Sequence, residues 1–305
     1  MTPAIWRPGE AWPISRLSSQ EWTVYYRAGF RWRERGGLRV LVDGPGALVH
    51  DALHRYVDQD PPAGRFAWHV YDTLTSTMPK AHDLFLKEGH PVAVLADAQT
   101  AGRGRGEHAW HATPGGGLNL SLAWAGTPTM MSGPLTLALG VAVSKAIGQL
   151  TGQAVGLKWP NDGLVDGQKC FGILVEASRD RSPRVVAGIG VNVNGDPPAA
   201  AGESAVSLEN LTGEPWSRLV LAIRIASQIA VTLEALEHAG PAPLLREWRR
   251  MSVTLGQRVV IPGPGPEREG MARNIDEDGS LRVVLADGTE VPVYAGEVNL
   301  RVDPP

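Results

Sequence analysis

Between residues 65 and 250 the chain alternates short apolar runs with segments in which apolar residues recur at helical spacing. Runs of about four to eight residues are typical of buried strands, whereas apolar residues three and four positions apart predict helices. The predicted strands are Trp68–Thr73, Val92–Asp97, Leu118–Ala125, Leu164–Val165, Cys170–Ala177 and Val185–Val193. The predicted helices are Met78–Lys87, Pro134–Leu150, Trp216–His238 and Pro243–Arg249. Strands joined in hairpins and mixed with helices indicate an α+β domain with one main sheet.

The period changes after residue 250, where helical spacing gives way to short β segments. These segments are Val259–Ile261, Glu269–Ile275, Leu281–Leu285 and Glu290–Tyr294, and Asp-Gly turns separate them. Short strands spaced this closely are typical of small all-β domains. We therefore expect residues 251–305 to form an SH3-like β-barrel.

The first 63 residues differ again, because they are rich in tryptophan and arginine. They contain two strand-like stretches, Glu21–Arg27 and Leu38–Val42, and one helical stretch, Gly46–Val57. Prolines and a glycine at residues 61–64 indicate a linker. A helix-turn-helix DNA reader needs closely spaced helices and a basic recognition helix, so we interpret this segment as an N-terminal extension of unknown role. The predicted domains are thus 1–63, 64–250 and 251–305.

Composition argues against several other classes of protein. The 305 residues carry a net charge of −3 without a basic block, which disfavours a nucleic-acid partner because phosphate binding needs clustered Lys and Arg. A single cysteine, Cys170, excludes an internal disulfide framework and a zinc–cysteine cluster, and it fits a reducing compartment. We find no apolar run long enough to cross a membrane and no signal-peptide layout. A cytoplasmic protein without a membrane partner is expected.

The segment Gln99–Gly106 (Gln-Thr-Ala-Gly-Arg-Gly-Arg-Gly) follows a predicted strand and has the composition of an anion-binding loop. Glycines at alternate positions leave backbone N–H groups open to a bound anion. Arg103 and Arg105 add fork-shaped donors suited to phosphate and carboxylate. Taken alone, the same composition fits a flexible, solvated turn with two surface arginines equally well.

Three other segments carry candidate chemistry, and each has a purely structural alternative. Lys169 follows the Lys158–Asp162 bend and faces either a reacting phosphate or solvent. Two glycines in Gly188–Asn192 indicate a close approach by a ligand or tight packing of protein against the strand. Ser76 and Thr77 open a predicted helix, where they either cap it or bind the polar head of a ligand.

In order and spacing, these segments together resemble the biotin protein ligases. The matching segments are Tyr71–Thr77, Gln99–Arg105, Trp110, Lys158–Asp162, Lys169–Glu176, Gly188–Asn192, Ala205–Leu208 and Gly296–Arg301. The most specific feature is Lys-Trp-Pro-Asn-Asp at residues 158–162 followed by Gly-Ile-Leu-Val-Glu at residues 172–176. The resemblance covers about residues 65–303 and implies a mixed-sheet catalytic domain followed by an SH3-like barrel, in agreement with the periodicity.

The resemblance also implies roles for single residues. Biotin would be bound by Ser76, Thr77, Gln99, Arg103, Gly104, Arg105 and Lys169, with the first three at its ureido ring. ATP or the adenylate would be bound by Arg105, Trp110, Asn161, Asp162, Asn192 and Arg301, with Trp110 closing against the adenine. Lys169 would contact both the biotin carboxylate and the α-phosphate. Lys169 and Arg103 are the expected catalytic cations.

The reaction implied has two steps. Biotin and ATP form biotinyl-adenylate and pyrophosphate, and a lysine of a biotin carboxyl carrier protein or domain then displaces AMP. The Mg²⁺ that accompanies ATP would be held mainly by phosphates and water, so no dedicated metal ligands are expected. A homodimer is left open.

The sequence departs from the family pattern at two places. Glu107 and His108 stand where the family loop has glycine and arginine, and a carboxylate there would repel pyrophosphate. Met78 replaces an asparagine beside the predicted biotin head, which exchanges an amide for an apolar, pliable side chain. These departures leave two alternatives open: a ligase for another small acid such as lipoate, and a non-catalytic biotin-binding protein. The first 63 residues do not resemble the winged helix of ligases that also repress transcription.

Overall fold

The computed structural model describes Leu53 and residues 57–106, 108–112, 115–131, 133–198, 205–261 and 268–294, together with the backbone of three short strands before them. Those strands are β1 (Ala11–Pro13), β2 (Arg31–Arg35) and β3 (Leu38–Asp43), which pair antiparallel in the order β1-β3-β2. Strand β3 confirms the predicted stretch 38–42, and β1 and β2 were not predicted. The predicted strand 21–27 and most of the predicted helix 46–57 lie outside the described residues.

The main sheet has seven strands. They are β4 (Ala67–Leu74), β5 (Val92–Gln99), β6 (Gly117–Ala125), β7 (Gly156–Lys158), β8 (Asp162–Val165), β9 (Gln168–Ser178) and β10 (Arg184–Asn192). Their spatial order is β4-β5-β6-β10-β9-β8-β7. Only the β4–β5 pair is parallel, because a helix connects these two strands and returns the chain to the same end of the sheet. The predicted mixed sheet is confirmed, although β7 was missed.

Among its described residues, the main domain has five α-helices. They are α1 (Thr77–Glu88), α2 (Leu135–Thr151), α3 (Leu208–Thr212), α4 (Arg218–Ala239) and α5 (Ala242–Met251). Strand β5 shows why its sequence is apolar throughout: Val92 and Val94 pack with α1, whereas Ala93 and Leu95 join the core that contains α2 and α4. A strand covered on both faces shows no polar alternation. The four predicted helices are present, and the short α3 was not predicted.

Helix α4 corrects one expectation drawn from composition. Within the described residues, Arg218–Ala239 is long and apolar enough to meet the criteria for a membrane-spanning helix, so the statement that no run is long enough was wrong. Most of the helix is buried inside the protein. It packs against α2 and beside β6, and this two-sided burial accounts for its apolar composition.

The described part of the C-terminal region forms a four-stranded antiparallel sheet. Its strands are β11 (Arg258–Ile261), β12 (Arg268–Ile275), β13 (Leu281–Leu285) and β14 (Glu290–Val293), paired in chain order. The bounds agree with the four predicted segments to within one residue. The arrangement is consistent with the expected SH3-like domain.

The C-terminal sheet is joined to the main domain through Trp159, which lies in the bend between β7 and β8. The backbone N–H of Trp159 donates to Thr254 Oγ1 at 2.9 Å, and its indole N–H donates to the carbonyl oxygen of Gly279 at 3.1 Å. Gly279 lies in the β12–β13 turn with φ of 83°. That turn also presses its backbone against Gly133, where no Cβ would fit. The two units therefore meet at close quarters beside residues 160–162.

We predict that Thr254→Val lowers the free energy of unfolding by about 1–3 kcal/mol, because a buried N–H of Trp159 loses its acceptor. The measurement is denaturant unfolding followed by fluorescence. Thr254→Ser is the control, since it keeps the hydroxyl and removes one methyl group. A Val variant as stable as the natural protein would contradict the assignment.

Candidate functional site

The floor of the site is a row of small and polar residues across β6, β10 and β9. In the strand register, Gly190 lies between Asn119 and Gly172, and Gly188 lies between Ser121 and Leu174. Met78 covers Gly188, and the ring of Trp110 covers Gly190 so closely that a Cβ would overlap either side chain. In this structure the glycines therefore serve packing of protein side chains onto the strand, which was one of the two readings of the sequence.

The glycine–arginine loop is a folded hairpin. Gly104 N–H donates to the carbonyl oxygen of His108 at 2.8 Å, and Trp110 N–H donates to that of Gly102 at 3.0 Å. Arg103 and Ala109 form an antiparallel bridge between these bonds. A Cβ at Gly102 would overlap the Trp110 carbonyl, which explains this glycine. The loop is therefore hydrogen-bonded, although Arg103, His108 and Ala109 are exposed as the solvated-turn alternative expected.

The two arginines of the hairpin point to different partners. Arg103 pairs with Glu176 at 3.0 Å, and both side chains are about half exposed (46% and 49%). Arg105 donates to Asn161 Oδ1 at 3.2 Å. Partial burial lowers the pKa of Arg105, and the charge of Asp162 opposes that shift. Arginine remains protonated under such shifts, so both side chains present positive charge.

Lys169 is turned into the site rather than into solvent. The turn at Asp166 and Gly167 reverses the chain between β8 and β9, and Lys169 Nζ then lies 2.9 Å from Asp162 Oδ1. Both side chains are largely buried, with 26% and 14% exposed. A Cβ on Gly172 would lie 3.3–3.4 Å from the end of the lysine side chain. The surface-lysine alternative is therefore wrong for this residue.

Two asparagines hold the backbone around these cations. Asn192, which is buried, donates through Nδ2 to the carbonyl oxygen of Lys169 at 3.2 Å. Asn161 donates through Nδ2 to the carbonyl of Ile173 at 3.0 Å and accepts the N–H of Ile173 through its own backbone carbonyl at 2.9 Å. In this structure both residues fix the positions of Lys169 and Arg105.

The third component is a buried hydrogen-bonded network at the start of α1. Gln99 Oε1 accepts from the backbone N–H and the hydroxyl of Thr77, at 2.8 and 3.1 Å. The Thr77 hydroxyl lies 2.7 Å from Ser121 Oγ. Asn119 Oδ1 accepts from Gln99 Nε2 and from Trp110 Nε1, both at 3.1 Å. Ser76 is the buried N-cap of α1, and its side chain makes no capping bond.

Sequence reasoning missed Asn119 and Ser121. A signal was present, because two polar residues two positions apart in the otherwise apolar run 117–125 project from the same face of a strand. Both are essentially buried, and a buried polar pair is retained only when it has partners.

Cys170, next to Lys169, is not a candidate nucleophile. Its thiol donates to the Gly163 carbonyl at 3.3 Å, and burial raises its pKa to about 12. The reactive thiolate is therefore scarce at neutral pH.

The structure thus gathers the predicted residues into two adjoining groups. Thr77, Gln99 and Trp110 share the polar network, and the second group comprises Arg105, Asn161, Asp162, Lys169 and Asn192. Gly104 and Arg103 lie on the hairpin above them. Arg301 and Glu107 lie outside the described residues. Among the residues described, no group of three or more His, Cys, Asp or Glu is placed to hold a metal ion.

Comparison with known families agrees with this arrangement. Residues 70–194 match the biotin/lipoate A/B protein ligase family, and residues 254–301 match the biotin protein ligase C-terminal domain. Every described residue of the two groups lies in the first match, and Thr254 and Gly279 lie in the second.

Curated relatives match over most of their length. The bifunctional ligase/repressor BirA of Bacillus subtilis is 31% identical over 87% of this chain and 83% of its own. The biotin–[acetyl-CoA-carboxylase] ligase of Mycobacterium tuberculosis is 34% identical over 76% of this chain and 89% of its own. Among solved structures, the Aquifex aeolicus biotin protein ligase in complex with biotin and ATP is 28% identical, with a TM-score of 0.68, and covers 78% of this chain and 99% of that one.

Proposed function

Because the chain belongs to the biotin protein ligases, we propose that it uses ATP to activate biotin and joins it to a lysine of a biotin carboxyl carrier. The observation that carries this proposal is the pairing of the two residue groups. The Thr77–Gln99 network offers amide and hydroxyl groups at a buried end, suited to a neutral polar head. The Lys169–Arg105 group beside it offers cations for a carboxylate and a phosphate.

In the first step, a carboxylate oxygen of biotin attacks the α-phosphorus of ATP, the bond to the β-phosphate breaks, and pyrophosphate leaves. Negative charge grows on the non-bridging oxygens of the α-phosphate. Lys169 and Arg105 would stabilise this charge, and Arg103 at the rim would add a third cation once it exchanges Glu176 for the ligand. Trp110 would close the adenine side.

In the second step, the carrier lysine attacks the acyl carbon of biotinyl-adenylate, the bond to phosphate breaks, and AMP leaves with the amine losing a proton. No protein nucleophile is required, which agrees with the suppressed reactivity of Cys170. The task of the chain is to position the reactants and to keep water from the mixed anhydride.

Mg²⁺ would enter with ATP and be held mainly by phosphates and water. Relatives named as acetyl-CoA-carboxylase ligases support a carboxyl carrier as the acceptor. A cytoplasmic location fits the use of ATP, and a homodimer remains open to a sedimentation measurement.

Acid specificity is tested by ATP–pyrophosphate exchange with radiolabelled pyrophosphate. We expect exchange that depends on biotin and none with lipoate, because the polar network suits the ureido ring. Exchange with lipoate alone would identify a different acid ligase. Tight biotin binding in calorimetry without exchange or AMP release would identify a binding protein.

Lys169→Ala is expected to reduce adenylate formation by about 10²–10³-fold or more, because one preorganised charge at a transition state has an effect of that size. Lys145→Ala is the matched control. Lys145 also forms an ion pair, with Glu247 at 2.7 Å, but this pair joins helix α2 to helix α5 and takes no part in the site. Circular dichroism checks that both variants fold. Normal exchange by the Lys169 variant would remove this residue from the mechanism.

We also propose that the chain has no DNA partner. The net charge of −3 and the lack of a recognisable winged helix in the sequence support this. The relatives named ligase/repressor make a gel shift with operator-like DNA the appropriate test. We expect no shift at physiological salt, and a salt-sensitive shift would establish a second role.

A further inference from the structure

The start of helix α4 carries a buried cation that the proposed reaction does not use. Arg218, the first residue of that helix, is fully buried. Its guanidinium donates to the Asp97 carboxylate at 2.5 Å and to the carbonyl oxygen of Gly117 at 2.9 Å. Replacing a buried ion pair by apolar residues of similar volume is often neutral or stabilising, so stability alone does not account for a charge at this position.

The two acceptors lie where the ladder between β5 and β6 has ended. Within the described residues, the last register pair of this ladder is Ala96 with Asn119. Strand β5 continues past that pair through Asp97, and β6 begins before it at Gly117. The guanidinium therefore joins two strand ends that the ladder no longer pairs, and its donors form a rigid fork suited to holding two acceptors at a fixed separation.

One acceptor belongs to the strand that carries the polar network. Asp97 lies two residues before Gln99 on β5. The backbone carbonyls of Ala96 and Asp97 accept from Asn119 Nδ2, at 3.2 and 3.5 Å, and Gln99 holds the backbone N–H and hydroxyl of Thr77. The position of Asp97 therefore sets the end of β5 to which the residues expected at the biotin head are attached.

The other acceptor leads to the cations of the site. Gly117 is the register partner of Asn192 in the β6–β10 pair, and Asn192 donates to the carbonyl oxygen of Lys169 at 3.2 Å. Arg218 thus contacts one residue tied to the polar network and one residue tied to the expected catalytic lysine. The distance between these two groups depends on how the ends of β5 and β6 lie relative to each other, and Arg218 bonds to both ends.

We propose that Arg218 is a positioning residue that sets the spacing between the polar network around Gln99 and the cations around Lys169. The inference rests on the proposed function, because this spacing would place the biotin carboxylate against the α-phosphorus of ATP. Without Arg218 each group would keep its internal hydrogen bonds and bind its own part of the ligands. Their mutual alignment would be lost, and a misplacement of about 1 Å can slow a reaction by about 10²-fold.

Arg218→Met tests the spacing, because it fills the buried volume and removes the fork. Asp97 is 36% exposed, so the variant does not leave this carboxylate buried without a partner. We expect the single-turnover rate constant of adenylate formation, at saturating biotin and ATP, to fall by about 10²-fold. The amplitude of that phase reports the folded fraction, which a purely structural role would lower without changing the rate constant.

Arg218→Lys is the conservative variant, since it keeps the charge and lacks the fork. We expect its rate constant to lie between those of the natural protein and Arg218→Met. It carries the same comparison if Arg218→Met does not fold.

A ligand that spans both groups gives a second measure, which involves no turnover. Linking two halves of a ligand raises its affinity only when both sites can be engaged at once. In calorimetry, biotin should bind Arg218→Met within about twofold of the natural protein, whereas a non-hydrolysable analogue of biotinyl-adenylate should bind at least about tenfold more weakly.

Arg184→Met is the matched control. Arg184 is 8% exposed and also donates to a carboxylate and a backbone carbonyl, those of Asp180 at 2.7 Å and Ser182 at 2.8 Å, but at the opposite end of β10 from Asn192. It should alter neither the rate constant nor the ratio of the two affinities.

Three results would overturn the positioning role while the natural protein forms adenylate. They are an unchanged rate constant in the Arg218 variants, an equal loss of affinity for biotin and for the analogue, and an equal effect of Arg184→Met. A natural protein that forms no adenylate would instead refute the proposed function, and this inference with it.

Discussion

The site depends on the absence of side chains at two positions of β10. Gly188 and Gly190 leave a trough in the middle of the sheet, and Met78 from α1 and Trp110 from the hairpin lie in it. A Cβ at Gly190 would overlap the ring of Trp110, and a Cβ at Gly188 would displace the side chain of Met78. Ser121 and Asn119 lie opposite these two glycines in the strand register. Displacement of Met78 or Trp110 would therefore disturb the neighbouring hydrogen bonds between Thr77 and Ser121 and between Trp110 and Asn119. The two glycines therefore allow α1 and the hairpin to pack closely against the sheet.

The second constraint is electrostatic. Lys169 and Arg105 are partly removed from water, and each is satisfied by a neighbour on the Asn161–Asp162 bend. Burial of a lone cation is costly unless a partner compensates it. The Asp162 carboxylate serves as that partner for Lys169, and the Asn161 carboxamide accepts from Arg105. The bend is in turn fixed by Trp159 to the C-terminal sheet, so the small domain takes part in setting the charge geometry.

Most strands and helices of the main domain were predictable, because strands covered on both faces form apolar runs and buried helix faces leave apolar residues at helical spacing. The site was predictable only in part. Glycines at 188 and 190 indicated close approach, but sequence alone cannot say whether a ligand or Trp110 makes it. Asn119 acquires its role from Gln99 and Trp110, which are distant in sequence. The same holds for Arg218, which is fully buried and pairs with Asp97 and the Gly117 carbonyl; nothing in the pattern of α4 marks it.

The position of Met78 clarifies what its departure from the family pattern changes. Its side chain is 4% exposed and packs in the apolar cluster between α1 and the sheet, with Phe85 and Val186. The polar network beside it is complete without an amide at this position, since Thr77, Gln99 and Ser121 already satisfy one another. The substitution therefore removes no partner from the described network. It exchanges polarity for shape. Under the proposed function, its effect on acid choice would act through the contour of the trough above Gly188, and recognition of a polar head would stay with the network around Gln99.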